Sequence, residues 1–292
     1  LLPLELDLRH LLTSWFNRGF LQFERIDWRT PAVVLEKLIA YEAVHEIHGW
    51  SDLRRRLEND RRCFAFFHPA LPDEPLIFVE VALVSGLAGE VGPLLARPKS
   101  NRAAEDADTA IFYSISNCQE GLAGISFGNF LIKQVADTLS NELPEIRTFA
   151  TLSPIPGFVK WLASMEADDF PISLNKHQLS LISDSEWWKD DVLREGMKVA
   201  LQRLCAYFLL NAKRGELPRD PVARFHLGNG ASVERLNWSG DLSDRGLEQS
   251  AGIMVNYLYE RSEIISNHET FINDGMIAAS TAVRKLAGKS GS

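Results

Sequence analysis

The stretch from Arg62 to Ser153 constrains the fold most, because it strings strand and turn signals together and then switches to a helix. Arg62–Phe67 and Pro75–Val84 are dense in aromatic and β-branched residues and read as two antiparallel strands. The link between them, His68-Pro-Ala-Leu-Pro-Asp-Glu74, is rich in turn residues. Thr109–Ser116 is a third strand, and a glycine-rich turn then leads into a helix from about Phe127 to Leu139. Ile146–Leu152 is a fourth strand that ends at Ser153. This order specifies an α+β or mixed α/β domain. At 292 residues and 46% hydrophobic content, the chain can bury a sizeable core as one large domain or two smaller ones.

The flanks read mainly as helix. Residues 4–21 form an amphipathic pattern ending near Gly19, and Glu24–Trp28 is a short extended piece. Thr30-Pro31 opens a helix to about Ala43, with threonine as cap and proline in the first turn. A short helix follows at Ser51–Leu57, and Arg97–Asp108 is a polar surface loop. Downstream, residues 158–166 and 178–211 read as helices, Ser232–Trp238 as a strand, and Ser250–Tyr259 and Asn273–Leu286 as helices.

Charge and cysteine usage narrow the function. A net charge of −8 and a pI near 5.5 argue against a general nucleic-acid binder. Cys63, Cys118 and Cys205 are odd in number and lack metal-ligand spacing, which points to reduced thiols. No apolar run reaches membrane-spanning length and no signal-peptide pattern opens the chain, so a cytoplasmic location away from membranes is expected. The chain begins Leu-Leu-Pro-Leu, so further residues are expected upstream, and residues 287–292 read as a disordered tail.

Four places could carry chemistry. Ser153 precedes proline in Thr151-Leu-Ser-Pro-Ile-Pro-Gly157, and proline pushes its predecessor into an extended conformation. That fixes a hydroxyl where a buried strand ends, although a turn serine has the same signature. In the second, Gly121, Gly124 and Gly128 lie between strand and helix, where backbone N–H groups at a helix N-terminus suit a pyrophosphate. That turn lacks the Gly-Lys-Ser/Thr of a P-loop, and close helix–sheet packing accounts for the glycines about as well. Third, His226 in Phe225-His-Leu-Gly-Asn-Gly230 becomes a catalytic candidate only if it meets Ser153, whose hydroxyl needs a base to move its proton. Ser153 is outside a Gly-x-Ser-x-Gly elbow. Fourth, Asn256-Tyr257 could bond a thioester or a phosphate, with core packing the alternative role. The remaining histidines form no metal pattern.

Together these stretches resemble the malonyl-CoA decarboxylases. The carriers are Arg61-Arg-Cys63, Glu74-Pro-Leu76, Val81-Ala-Leu83, Ala110–Ser116, Gln119-Glu-Gly-Leu-Ala-Gly124, Phe130-Leu-Ile-Lys133, Leu152-Ser-Pro-Ile-Pro-Gly-Phe158 and Lys160-Trp-Leu162. Later carriers are Arg203–Ala206, Pro221-Val-Ala223, Phe225-His-Leu227, Asn229-Gly-Ala231 and Asn256-Tyr257, so the likeness runs from about Leu11 to Ala278.

The resemblance implies a GNAT-like acetyltransferase fold with a central mixed sheet flanked by helices. Residues 59–286 would be the catalytic domain, and residues 1–58 a lead-in from a helical N-terminal domain. It implies conversion of malonyl-CoA to acetyl-CoA and carbon dioxide, without metal or organic cofactor, in fatty acid metabolism. The catalytic serine and histidine match Ser153 and His226. The CoA pyrophosphate loop matches Gly121, Leu122, Ala123, Gly124, Ile125, Ser126, Phe127 and Gly128, with Ser126 where the acetyltransferase pattern has glycine. Ser114, Ser116, Asn256 and Tyr257 are candidate substrate contacts, and a homo-oligomer is expected. A GNAT-type acyltransferase, a thioester hydrolase and an inactive CoA-binding regulator are the alternatives.

Overall fold

The computed structural model describes residues 11, 18–96, 106–119, 128–166, 171–172, 174–183 and 186–288. They divide into two compact units. The first holds the described residues up to Gly86 together with Leu94–Phe149, and the second holds Leu87–Pro93 together with those from Ala150 onward.

In the first unit, β1 (Gln22–Ile26), β2 (Arg61–His68), β3 (Leu71–Val84) and β4 (Thr109–Asn117) pair antiparallel in that order. Ile26 lies opposite Cys63, Phe64 opposite Val79, and Val79 opposite Ile115. The side chains of β2 are buried on both faces, so its sequence carries no polar alternation. Cys63, Ala65 and Phe67 join Val34, Leu35 and Leu38 of α1 (Ala32–Tyr41) and Leu53 of α2 (Trp50–Arg56) in one cluster. Phe64, on the opposite face, stacks on Phe23 with ring centroids 5.2 Å apart. α3 (Gly128–Glu142) buries Leu131, Val135 and Leu139, spaced four apart on one face.

The four expected strands form here with bounds shifted by a few residues; the fourth is β5 (Thr148–Thr151), in which the boundary between the units falls. Pro31 opens α1 as expected, but Thr30 does not cap it; the Thr30 hydroxyl accepts the Asp27 N–H instead. Most of the helix expected at 4–21, most of the loop at 97–108 and the turn from Gly121 to Phe127 lie outside the described residues.

In the second unit, β6 (Lys213–Arg214) and β7 (Leu217–Pro218) form a short antiparallel pair, β5 pairs through Ala150 with Leu258 of β9 (Met254–Leu258), and β9 pairs along its length with β8 (Ser232–Asn237), both antiparallel. The helices are α4 (Phe158–Ala163), α5 (Lys176–Ser183), α6 (Asp191–Asn211), α7 (Pro221–Gly228), α8 (Asp244–Ser250), α9 (Ile264–Asp274) and α10 (Thr281–Ala287). Phe158 and Trp161 of α4 pack on Phe208 of α6 at 5.8 and 5.1 Å. Leu87–Pro93 belongs to this unit because Arg235 Nη2 donates to Leu87 O, Asn256 Nδ2 to Ala88 O, and Val91 N to Gly240 O.

Three expectations are corrected here. The helix expected at Ser250–Tyr259 is strand β9: Ala251 and Gly252 take positive φ, which stops α8 and redirects the chain. The helix expected at 178–211 is interrupted, and Asp190 caps a fresh start by accepting the Val192 and Leu193 N–H groups. The helix expected at Asn273–Leu286 is the end of α9, a left-handed Gly275, and α10, capped by Ser280.

Candidate active site

Ser153 is held by its backbone before its side chain acts. Its N–H donates to Val255 O at 2.9 Å, and its carbonyl accepts the Val255 N–H at 3.0 Å. This two-way bridge extends the β5–β9 pairing past Leu152 and ends at Pro154, which has no N–H to continue the ladder. The extended conformation expected for Ser153 is thus the one it has. Its hydroxyl donates to Thr151 Oγ1 at 2.8 Å and lies 3.2 Å from His226 Nε2.

His226 stands on α7, which the sequence left unassigned. Asp220 accepts the Ala223 N–H at 2.8 Å, and Pro221 fills the first turn, so the start is a capped helix N-terminus. The left-handed Gly230 turns the chain toward β8 after the helix ends. The imidazole is 3% exposed and stacks on the Tyr257 ring at 4.6 Å. Its Nδ1 lies 2.7 Å from the Tyr259 hydroxyl.

Burial sets the protonation states. It pushes His226 down from 6.5 to about 3, so the ring is neutral at neutral pH. Burial also holds the Tyr257 and Tyr259 phenols well above their ordinary range. The Ser153 hydroxyl gives its own proton to Thr151, so the proton in the Ser153–His226 bond belongs to Nε2, and Nδ1 is left to accept from the protonated Tyr259 hydroxyl. Tyr259, His226, Ser153 and Thr151 therefore form a directional chain of hydrogen bonds in one buried site.

Of the other candidates, Tyr257 lies in this site, and its buried hydroxyl has no hydrogen-bond partner among the described residues. Asn256 donates to Thr151 O at 2.7 Å and to Ala88 O at 3.0 Å, and accepts from Arg235 and Asn237, so it braces β9 against its neighbours. Ser114 and Ser116 belong to the first unit, where both hydroxyls donate to the Glu42 carboxylate. Gly128 is the first residue of α3, and the rest of the glycine turn is outside the described residues. Sequence reasoning passed over Tyr259, Thr151 and Asp220. The signal for Tyr259 was its i, i+2 spacing from Tyr257, visible once β9 is read as a strand. Among the described residues no group of three or more His, Cys, Asp or Glu side chains could hold a metal ion. No described helix is long and apolar enough to cross a membrane.

The family model of the malonyl-CoA decarboxylase C-terminal domain matches residues 19–291. The chain belongs to the malonyl-CoA decarboxylase family. The mitochondrial malonyl-CoA decarboxylase of Anser anser anser is 40% identical over 300 residues, covering 94% of this chain and 59% of the goose protein. That of Mus musculus is 36% identical, covering 96% of this chain and 61% of the mouse protein. The chain thus spans about three fifths of the length of these relatives. The crystal structure of malonyl-CoA decarboxylase from Agrobacterium vitis superposes with a TM-score of 0.90 at 50% identity, covering 97% of this chain and 71% of that one. The structure from Rhodopseudomonas palustris gives 0.86 at 54% identity, covering 96% and 69%. The mixed α/β architecture is therefore the fold of solved malonyl-CoA decarboxylases, and the family likeness stated from the sequence motifs is correct.

Proposed function

We propose that this chain is the catalytic part of a malonyl-CoA decarboxylase, and that Ser153 and His226 are its catalytic pair. The observation that carries the reading is the 3.2 Å approach of Ser153 Oγ to His226 Nε2 in a chain of this family. In the reaction, the bond between the malonyl carboxylate and its α-carbon breaks. The electron pair passes into the thioester as an enolate, carbon dioxide leaves, and the α-carbon takes one proton to give acetyl-CoA.

The protonation states favour this chemistry over acyl-serine chemistry. A neutral His226 offers the substrate carboxylate no full positive charge, so the charged ground state is not stabilised more than the transition state. A histidine with a pKa near 3 is a poor base for a serine nucleophile, and the serine proton faces Thr151 rather than the ring. The Ser153 hydroxyl and the Nε2–H are instead placed to donate: one to the enolate oxygen, the other in the relay to carbon that Tyr259 backs at Nδ1.

On sequence grounds, the turn from Gly121 to Gly128 takes the CoA pyrophosphate. The reading calls for no metal or organic cofactor besides the CoA of the substrate, and it includes a cytoplasmic homo-oligomer serving fatty acid metabolism. The test is to incubate the protein with malonyl-CoA and no acceptor, and to follow acetyl-CoA and carbon dioxide. Ser153→Ala and His226→Ala should each lose about 10²–10⁴-fold in kcat with the fold retained. Full activity in both variants sinks the pair, and unchanged malonyl-CoA with the unaltered protein sinks the function.

A further inference from the structure

Thr151 ends β5 two residues before Ser153 and is completely buried. Around it, side chains join β5 to β9. Between the Ala150–Leu258 pair and the Ser153–Val255 bridge, the Tyr257 N–H donates to Thr151 Oγ1 at 3.1 Å. Asn256 Nδ2 donates to the Thr151 carbonyl at 2.7 Å. The Ser153 hydroxyl donates to the same Oγ1 at 2.8 Å. A hydroxyl oxygen has two lone pairs, and at Thr151 one meets the β9 backbone and the other meets the serine. The β-branched side chain has little rotamer freedom, so the oxygen is fixed in place by its own residue as well as by its partners.

The two donors that converge on Oγ1 both belong to neighbours of His226. Tyr257 supplies the ring on which the imidazole stacks at 4.6 Å, and Ser153 faces Nε2 at 3.2 Å. Tyr259, which meets Nδ1, lies on the same extended run two residues beyond Tyr257. Thr151 therefore ties the backbone that carries both tyrosines to the hydroxyl of the serine.

We infer that Thr151 is the positioning residue of the pair: its hydroxyl oxygen, pinned to the β9 backbone, holds the Ser153 proton away from His226 and so keeps the imidazole proton on Nε2. For its effect on turnover the inference rests on the decarboxylation reading; for its effect on the ring it does not. With the serine proton held at Thr151, Ser153 and Nε2 each keep a proton to give to the substrate. Without that acceptor the serine proton turns to Nε2, the ring proton moves to Nδ1 and faces the Tyr259 oxygen, and neither is left for the substrate. A catalytic histidine held in the wrong tautomer can lower kcat by about 10⁴-fold, so this control has a measurable consequence.

The test compares Thr151→Val, which keeps the shape and removes the acceptor, with Thr151→Ser, which keeps the acceptor. Thr151→Val should lose about 10²-fold or more in kcat with KM for malonyl-CoA little changed, and Thr151→Ser should retain most of the activity. The effect should vanish without the serine: Ser153→Ala alone and Ser153→Ala combined with Thr151→Val should turn over within about twofold of each other. Losses that multiply overturn the inference, as does wild-type kcat in a folded Thr151→Val protein. The second measurement needs no turnover. In the whole protein with ¹⁵N-labelled histidine, His226 should carry its proton on Nε2, and Thr151→Val should move it to Nδ1. The same tautomer in both proteins also overturns the inference. Should Thr151→Val fail to fold, Thr151→Cys takes its place with the same expectations, since sulfur is only a weak acceptor. If the unaltered protein yields no acetyl-CoA, the decarboxylation reading fails while the ring tautomer still decides the role of Thr151.

Discussion

Gly230 is the residue at which the chain tolerates least change beside the candidate site. It turns at φ +80° just after the His226 helix, and a Cβ there would lie 2.1 Å from the Ile264 carbonyl oxygen. Neither a backbone shift of a few tenths of an ångström nor a rotamer change removes such an overlap. Gly275 is the natural comparison. It has φ +64°, but the nearest atom to its Cβ would be the flexible end of Lys213 at 3.4 Å. Gly275→Ala should therefore cost only about 1 kcal/mol, from the left-handed backbone alone. Gly230→Ala adds the steric conflict and should cost about 3 kcal/mol or more. Urea unfolding midpoints of the two variants check the difference, and equal losses would contradict the geometry. Asn-Gly at 229–230 was legible as a turn in the sequence; the Ile264 carbonyl that makes glycine obligatory was not, because it comes from a residue 34 positions away.

At the scale of elements, β9 shows why parts of the fold could be read and parts could not. α3 buries one face at helical spacing, and the strands of the first unit are rich in aromatic and β-branched residues, so these elements were predicted with the right type. Most of β9 is buried, Met254 to Tyr257 without exception, and an apolar run of this length fits helix and strand equally. Reading it as helix separated Tyr257 from Tyr259 and hid the tyrosine that backs His226. Ser153 and His226 were legible through the proline frame and the family motif; their approach, 73 positions apart in the chain, is a product of the fold. Asn256 anchors this strand through four side-chain hydrogen bonds, two donated to carbonyls and two accepted. Asn256→Ala leaves the Thr151 carbonyl and the Asn237 amide without these partners inside the protein, and should lower stability by about 2–4 kcal/mol. The same variant should cut kcat, since Thr151 also receives the Ser153 hydroxyl. A stability change under 1 kcal/mol in denaturant titration would show that water replaces the side chain.

For the molecule as a whole, buried His226 and buried Asp220 make stability depend on pH in opposing ways. His226 titrates near 3 in the folded chain and near 6.5 when unfolded. The unfolded chain therefore binds the extra proton between those values, and stability falls as pH drops from 6.5 toward 3, by at most about 1.4 kcal/mol per pH unit. Asp220 is shifted the other way, to about 6 from 3.8, so the folded chain binds its proton first. Between pH 6 and 3.8 that carboxyl adds stability as pH falls, with a slope of the same size and opposite sign. The two contributions offset each other across this window. Groups such as Asp60, Glu74 and Asp108, whose pKa values are lowered, contribute stability above the usual carboxylate range and lose it in acid. They are common to every variant and cancel when variants are compared. Relative to the unaltered protein, Asp220→Asn should lose ground steadily below pH 6, by about 1.4 kcal/mol per unit, because the fall due to His226 is no longer opposed. His226→Asn should gain over the same range. Urea midpoints at pH 7, 6, 5 and 4 decide the matter: the curves of the two variants must diverge to opposite sides of the parent, and three parallel curves would mean that neither group is buried as the fold places it.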